Sequence, residues 1–313
     1  MKTFRLIGMA LTAIVMCVNF VACSSDDDES DAPIKNDDGI ITNQKRLVEI
    51  NETYKDDTNV MIFSYDSKGR LITVIRKDYD SNGNGDITNY TWNGKTIVSE
   101  DRYRTRTYTL NNSLVSNLRD NTGDYDWNNI SFSYNSSEQV IETKDIYERD
   151  TYTTNYIWEN GKYMGTNEDN NANNVTYSGK SCKGYFPLYG IIVFGDVSDD
   201  VDILYTHPEL LGMRNNQLPD QSYNKEIKKS EHYDEFFKET CKYETIYEET
   251  VEFTYKLNSN GYVESVIIVE TDLQTYKYSF QDRNGDGVIS DDERNVSDTH
   301  TDTSTTVYTF KWE

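Results

Sequence analysis

The chain has 313 residues, only 36% of them hydrophobic, with a mean hydropathy of -0.77. Its 25 Tyr and 13% aromatic content exclude the composition of an unfolded chain, and four Pro exclude a Pro-rich linker protein. The balance of 31 Lys and Arg against 54 Asp and Glu, net -23, excludes a phosphate-backbone binder and makes cations the natural counter-species.

The N-terminus reads as an export signal over residues 1–22. Lys2 and Arg5 precede the apolar run from Leu6 to Val21, which is too short and too soon followed by acids for a spanning helix. The run ends in Phe20-Val21-Ala22-Cys23, apolar and small residues before a cysteine. That order suits lipoprotein processing, with Cys23 as the acylated new terminus; the other reading is an ordinary secretory signal with an incidental Cys. Removing Lys2 and Arg5 with the signal leaves 29 bases against 54 acids, or -25. The following Ser24-Ser25-Asp26-Asp27-Asp28-Glu29 resembles the acidic tag of surface-exposed Bacteroidetes lipoproteins. The resemblance implies an outer-membrane protein, lipid-anchored and facing the cell exterior. Residues 23–42 are expected to form an acidic tether, with Pro33 and Asp37-Asp38-Gly39 as breakers.

From residue 43 to 313 the pattern predicts one all-β domain. Cys241, Tyr243, Thr245, Tyr247, Val251, Phe253 and Tyr255 alternate with polar residues, a long period-two run. Ile146 to Trp158 alternates likewise, and so does the C-terminal Tyr308, Phe310 and Trp312. A degenerate unit recurs: aromatic, any residue, Tyr or Trp, a turn with Asn, Asp or Gly, then aliphatics. Phe63-Ser64-Tyr65, Tyr90-Thr91-Trp92, Phe132-Ser133-Tyr134, Tyr156-Ile157-Trp158 and Phe253-Thr254-Tyr255 are its copies. Asn-Gly between alternating runs marks hairpins, because type I′ turns need positive φ at both centres. The irregular spacing predicts a meander, not a strict solenoid.

Residues 185–220 break this pattern and hold Pro187, Pro208 and Pro219. Tyr189 to Phe194 is a continuous apolar run. Thr206-His207-Pro208-Glu209 has capping-box spacing, so a short helix is expected from Pro208 to about Arg214. The block is either a plug across a barrel mouth or a crossover between two sheet halves.

These features together resemble a Bacteroidetes lipoprotein domain of unknown function described as having a porin-like fold. The residues that carry the resemblance are the lipobox, the Tyr-x-Tyr hairpins, Tyr65-Asp66-Ser67-Lys68-Gly69-Arg70-Leu71, His207-Pro208-Glu209-Leu210-Leu211-Gly212 and Asn215-Asn216-Gln217-Leu218-Pro219. The resemblance covers about residues 45–313. It implies a large, curved, barrel-like antiparallel meander sheet and no catalytic residues. Acidic and Thr-rich outer faces suit water better than lipid.

One segment carries recognisable chemistry. Asp282, Asn284, Asp286, Val288, Ser290 and Glu293 occupy the ligand positions of a calcium-binding loop, with Gly287 at the sharp turn. The flanks read as strand, so a Ca²⁺ site here would be structural, set between strands; the other reading is a polar hairpin turn. Asp80, Asn82, Asn84 and Gly85 give a weaker match that ends on Thr91, not a carboxylate. Cys182 and Cys241 are compatible with a disulfide or with two separate thiols. His207, His232 and His300 lie far apart, and no nucleophile elbow or phosphate loop is present. The expectation is therefore not an enzyme. It is a scaffold or binding protein with an unknown protein or glycan partner; a glycan binder would use Trp92, Trp127 or Trp158 as stacking platforms.

Overall fold

The computed structural model describes residues 34–36, 38–77, 85–122, 128–147, 150–168, 171–194, 202–235, 239–280 and 294–313. Cys23, Trp127 and the loop 281–293 lie outside the described residues.

Sixteen antiparallel strands run in sequence order around the wall of a barrel. The first eight are β1 (Leu47–Tyr54), β2 (Asp57–Tyr65), β3 (Leu71–Lys77), β4 (Asp86–Asn93), β5 (Thr96–Glu100), β6 (Arg104–Asn111), β7 (Leu114–Thr122) and β8 (Asn128–Tyr134). The rest are β9 (Val140–Tyr147), β10 (Asp150–Glu159), β11 (Lys162–Glu168), β12 (Asn171–Thr176), β13 (Gln221–Asp234), β14 (Glu239–Leu257), β15 (Val263–Phe280) and β16 (Arg294–Trp312). β16 returns to pair with β1, from Leu47 opposite Trp312 to Tyr54 opposite Thr306. The all-β meander expected from the alternation, in the barrel-like form that the resemblance implies, is the observed fold.

The recurrent aromatic unit closes one end of this barrel. Odd strands begin there and even strands finish there. The second aromatic of each unit donates a hydrogen bond to a backbone carbonyl at the foot of the preceding strand. Tyr65 reaches Leu47 (2.5 Å), Trp92 reaches Leu71 (2.8 Å) and Tyr134 reaches Val115 (2.5 Å). Trp158 reaches Val140 (2.6 Å), Tyr255 reaches Pro219 (2.8 Å) and Trp312 reaches Val263 (2.7 Å). An amphipathic ring suits this place: its body packs on the core and its polar tip satisfies an otherwise orphaned carbonyl. The first aromatic points inward, and Phe63, Tyr90, Tyr156, Phe253 and Phe310 are all buried.

Four turns at this end share one geometry. Asn36, Asp66, Asn135 and Asn258 each accept on Oδ1 the N–H groups two and four residues ahead. The third residue ahead is Gly39, Gly69, Glu138 or Gly261, always at positive φ. A side chain mimicking a backbone turn is the physical role of Asx residues there.

A barrel of sixteen strands is too wide for its own side chains to fill. The segment between β12 and β13 fills the closed end. It contains α1 (Tyr189–Phe194), α2 (Ile203–Thr206) and a 3₁₀ turn (Pro208–Leu211). Phe186, Leu188, Tyr189, Val193, Ile203, Leu204, Leu210, Leu211 and Met213 are buried in one cluster with the strand feet Leu47, Ile50, Val74, Ile97, Val115, Val140 and Val263. Of the two readings of this block, the plug is observed. β12 and β13 pair directly, from Thr176 opposite Gln221 to Asn171 opposite Glu226, so the block bridges no gap in the sheet.

Several expectations are corrected. Two short α-helices precede the 3₁₀ turn where one helix was expected. The apolar run Tyr189–Phe194 is helical because inside the lumen it has no strand to pair with, and a helix satisfies its own backbone. Thr206 does not cap the next turn. It is the last residue of α2, and its hydroxyl donates back to the Asp202 carbonyl (3.3 Å). The tether ends earlier than residue 42, since Ile40 and Ile41 are buried. Lys35 bridges to Ile41 and Asn36 donates to the Lys68 carbonyl, so this segment joins the closed end.

Cys182 and Cys241 are both buried and both free. The Cys182 N–H donates to the Asn216 carbonyl at the closed end (2.9 Å). Cys241 lies twelve residues along β14 from Phe253, whose ring meets Phe186 of the plug. Twelve strand residues span about 40 Å, far beyond disulfide reach.

Candidate functional site

The plug is fixed by polar contacts inside an apolar cluster. Asp202, 1% exposed, accepts from the Arg76 guanidinium of β3 and from the Tyr90 hydroxyl of β4 (3.0 Å). Glu209 accepts from His207 Nδ1 (3.2 Å) and the Ile41 N–H (3.4 Å), and pairs with Arg214 (3.6 Å). Burial pushes the Glu209 carboxyl up, but the His207 bond and the Arg214 charge outweigh it and hold it below the usual range. His207 stands edge-on to Tyr65 (6.0 Å) and Trp92 (5.9 Å). The His-Pro-Glu stretch is thus an internal brace of the plug.

Beyond the plug the lumen widens into a cavity of about 870 Å³. Its floor is the upper face of α1, with Ile191, Ile192 and Phe194 only half covered. Phe132 and Tyr156 meet Phe194 edge-on at 6.1 and 5.6 Å. Solvent reaches the cavity from the end away from the plug, where Tyr152 and Asp272 are exposed.

The wall above the floor is acidic. Strand register stacks Phe253 opposite Ile268, then Val251 opposite Glu270, then Glu249 opposite Asp272, all facing inward. Glu249, Glu270 and Asp272 bring carboxylate oxygens within 4.8 Å of one another. Burial first, then the Glu270 and Asp272 carboxyls, push Glu249 up to about 7. Across the lumen on β9, Asp145 also faces in; burial raises it, and its Oδ1 has no hydrogen-bond partner. Among the described residues that line the cavity there is no lysine, arginine or histidine.

The outer face of the same strands holds most of their bases. Lys225 pairs with Glu248 (3.0 Å), and Glu244 lies between Lys229 (3.1 Å) and Lys277 (3.0 Å). From Asn295 to Thr309 the outward positions of β16 are Asn, Ser and Thr, with Val307 the one exception. Ion pairs and hydroxyls at this height belong in water, whereas a lipid-facing band would be apolar.

Asp282, Asn284, Asp286, Val288, Ser290 and Glu293 lie outside the described residues. The loop's flanks are strands, with Phe280 opposite Arg294 in register. Of the second acidic turn only Gly85 and Asp86 are described, the latter opening β4. Trp92 and Trp158 are not free platforms. They are half-buried against the core, with the indole N–H taken by a neighbouring strand.

Reading the sequence did not single out Glu249, Glu270, Asp272 or Asp145. A signal was present: Glu249 stands between Tyr247 and Val251 on the face otherwise read as apolar. Glu270 and Asp272 continue the inward phase of Val266 and Ile268.

No family model matches the chain, and no curated protein does. Solved structures do. A plugged antiparallel barrel of this kind is a porin-like fold. The chain resembles a porin-like protein from Bacteroides uniformis with a TM-score of 0.58 and 18% identity, over 87% of this chain and 99% of that one. A porin-like protein from Bacteroides vulgatus aligns over 85% of this chain and 98% of its own, at 11% identity and a TM-score of 0.48. At such identities the first likeness establishes the fold alone, and the second adds nothing to it.

Proposed function

We propose that this is a lipid-anchored lipoprotein of the outer membrane, displayed at the cell exterior, whose barrel is a non-enzymatic binding module with the lumen as its chamber. The observation that carries the reading is the plug. A conducting pore needs an open lumen, and here one end is filled by a buried, braced segment while the other holds a cavity of about 870 Å³. That volume lies within the range of small-molecule sites. The charged outer face argues for a barrel standing in water, held by its N-terminal lipid on Cys23. Ile34 lies at the closed end and follows Cys23 by eleven residues, a reach of about 37 Å at most. The anchored barrel would therefore turn its closed end to the membrane and its chamber outward. The Asp282–Glu293 loop would hold a structural Ca²⁺ at the far end.

The reading is tested by expressing the full chain and its Cys23→Ser variant in a Bacteroides host. Radiolabelled palmitate and surface proteolysis should mark the parent, and the label should be lost in the variant. Purified protein should show no steady conductance in planar bilayers, and a mixed panel of small sugars, acids and amines should raise its melting temperature for at least one class. Steady conductance, turnover of a panel compound, or no shift with any class would overturn the chamber.

A further inference from the structure

We propose that the chamber takes an amphiphilic cation: an apolar body seated on α1 and an amine or guanidinium head held by the Glu249–Glu270–Asp272 wall. This rests on the lumen being a binding chamber and names the chemistry of its ligand.

The cavity has two unlike halves in fixed order. Its base is apolar and left uncovered, with Ile191, Ile192 and Phe194 facing the void beside Phe132 and Tyr156. Apolar surface lining a cavity suits an apolar occupant. Its wall is predominantly anionic. Glu249 has Asn224 and Glu270 as neighbours, and no Lys, Arg or His of the lining meets the three carboxyls. Most bases of these strands lie one residue out of phase, on the outer face, where Lys225, Lys229 and Lys277 pair with Glu248 and Glu244. Glu226 alone is answered, by Lys228 (3.0 Å) nearer the rim. Asp145 adds a carboxylate oxygen without a hydrogen-bond partner on the opposite wall.

Register sets the length of the ligand. Phe253 and Ile268 stand at floor height, Glu270 two residues higher and Asp272 two higher again. Each step of two strand residues rises about 7 Å, so head and body are separated by about 7–13 Å. A chain of six to ten carbons or a two-ring body fits that interval. An anion would be repelled by the wall and by the net charge of the chain, and a neutral sugar would leave the floor's apolar surface unmatched.

The test uses the full chain carrying Cys23→Ser, free of detergent. Dansylcadaverine supplies a two-ring body and a primary amine. Its emission should shift to the blue and saturate. Its N-acetyl derivative, with the charge removed, should bind at least tenfold more weakly without any change to the protein. The Glu249→Gln, Glu270→Gln, Asp272→Asn triple variant, which keeps side-chain size, should lose at least tenfold as well. Spermine and CaCl₂, which lack the body, should not displace the probe at matched concentration. Equal binding of both dansyl compounds would overturn the cation assignment and leave the chamber standing. Displacement by spermine or Ca²⁺ as effective as by unlabelled amphiphile would reduce the site to an ion site and overturn it too. No binding of either dansyl compound would overturn the proposal; if the mixed panel also gives no shift, the chamber reading falls with it.

Discussion

Glu249 shows how one inward acid shapes the behaviour of the wall. Its inward neighbours are Asn224 and Glu226 on β13, Tyr247 on its own strand, and Glu270 and Asp272 on β15, with Asp302 and His300 of β16 on the same face beyond. Burial and then the adjacent carboxyls raise Glu249 to about 7, well above its unfolded value of about 4.3. Between those values the folded chain holds more proton than the unfolded one. The contribution to stability is therefore present at low pH and lost as pH rises through 7. Glu249→Gln should flatten this fall and raise the melting temperature at pH 8 by about 2–4 °C, an effect near 1 kcal/mol after screening at a partly exposed site. Thermal melts from pH 5 to 8 would check it, and a variant with the parent's slope would refute it. The same charging should make cation binding stronger above pH 7. Other single residues matter for shape. Gly212 sits at φ +63°, where a Cβ would come within 2.3 Å of the Glu138 carbonyl, so only glycine lets the plug's last turn approach the β8–β9 turn.

The plug is an element whose own sequence gives it little helical preference. Ile191, Ile192 and Val193 are β-branched, and α1 lacks an acidic first turn and a basic last turn. Burial holds it in place, together with the Asp202 contacts to Arg76 and Tyr90. Asp202→Ala would leave the Arg76 charge and the Tyr90 hydroxyl without this partner. The expected cost is about 3–5 kcal/mol. A parallel variant, Arg76→Met with Asp202→Leu, removes both charges and should recover most of that loss. Chemical denaturation of the parent and both variants would measure it, and equal losses in the two variants would show that the cost is not that of an unpaired buried charge. The same reasoning explains the aromatic locks. Each ties an even strand to the foot of its odd neighbour, so the closed end resists splaying where no crossing strand restrains it.

At the scale of the whole molecule the barrel is uneven in height. β13 to β16 have 14, 19, 18 and 19 residues, while the other strands have 5 to 10. Residues 281–293 connect two of these tall strands, β15 and β16, so cross-linking by an ion there would stiffen the part of the wall that stands highest above the plug. Ca²⁺ is expected to raise the melting temperature with an apparent Kd of about 10⁻⁴–10⁻³ M, and Glu293→Gln should abolish the shift. Calorimetry on both chains distinguishes this from general screening, which MgCl₂ and NaCl would reproduce in the variant as in the parent. The net charge of -23 draws cations to ion loop and chamber alike.

The sequence by itself determined the strands, most turns and the antiparallel meander, while closure of the sheet into a barrel came from the tertiary structure. Period-two alternation, Asx turns and the aromatic-x-aromatic unit are local signals. Asn160-Gly161, both at positive φ, is the hairpin its dipeptide predicts. Apolar runs with Pro also marked the central block as different. Tertiary structure decided the rest. It made a helix of a β-branched run, because a segment inside a lumen has no strand partner. It separated Cys182 from Cys241, because a long strand puts residues close in pattern at opposite ends of the barrel. It assembled the acidic wall from β13, β14 and β15 with Asp145 of β9 across the lumen. No spacing within one segment encodes that gathering, since only closure and register bring those carboxyls to one height above the plug.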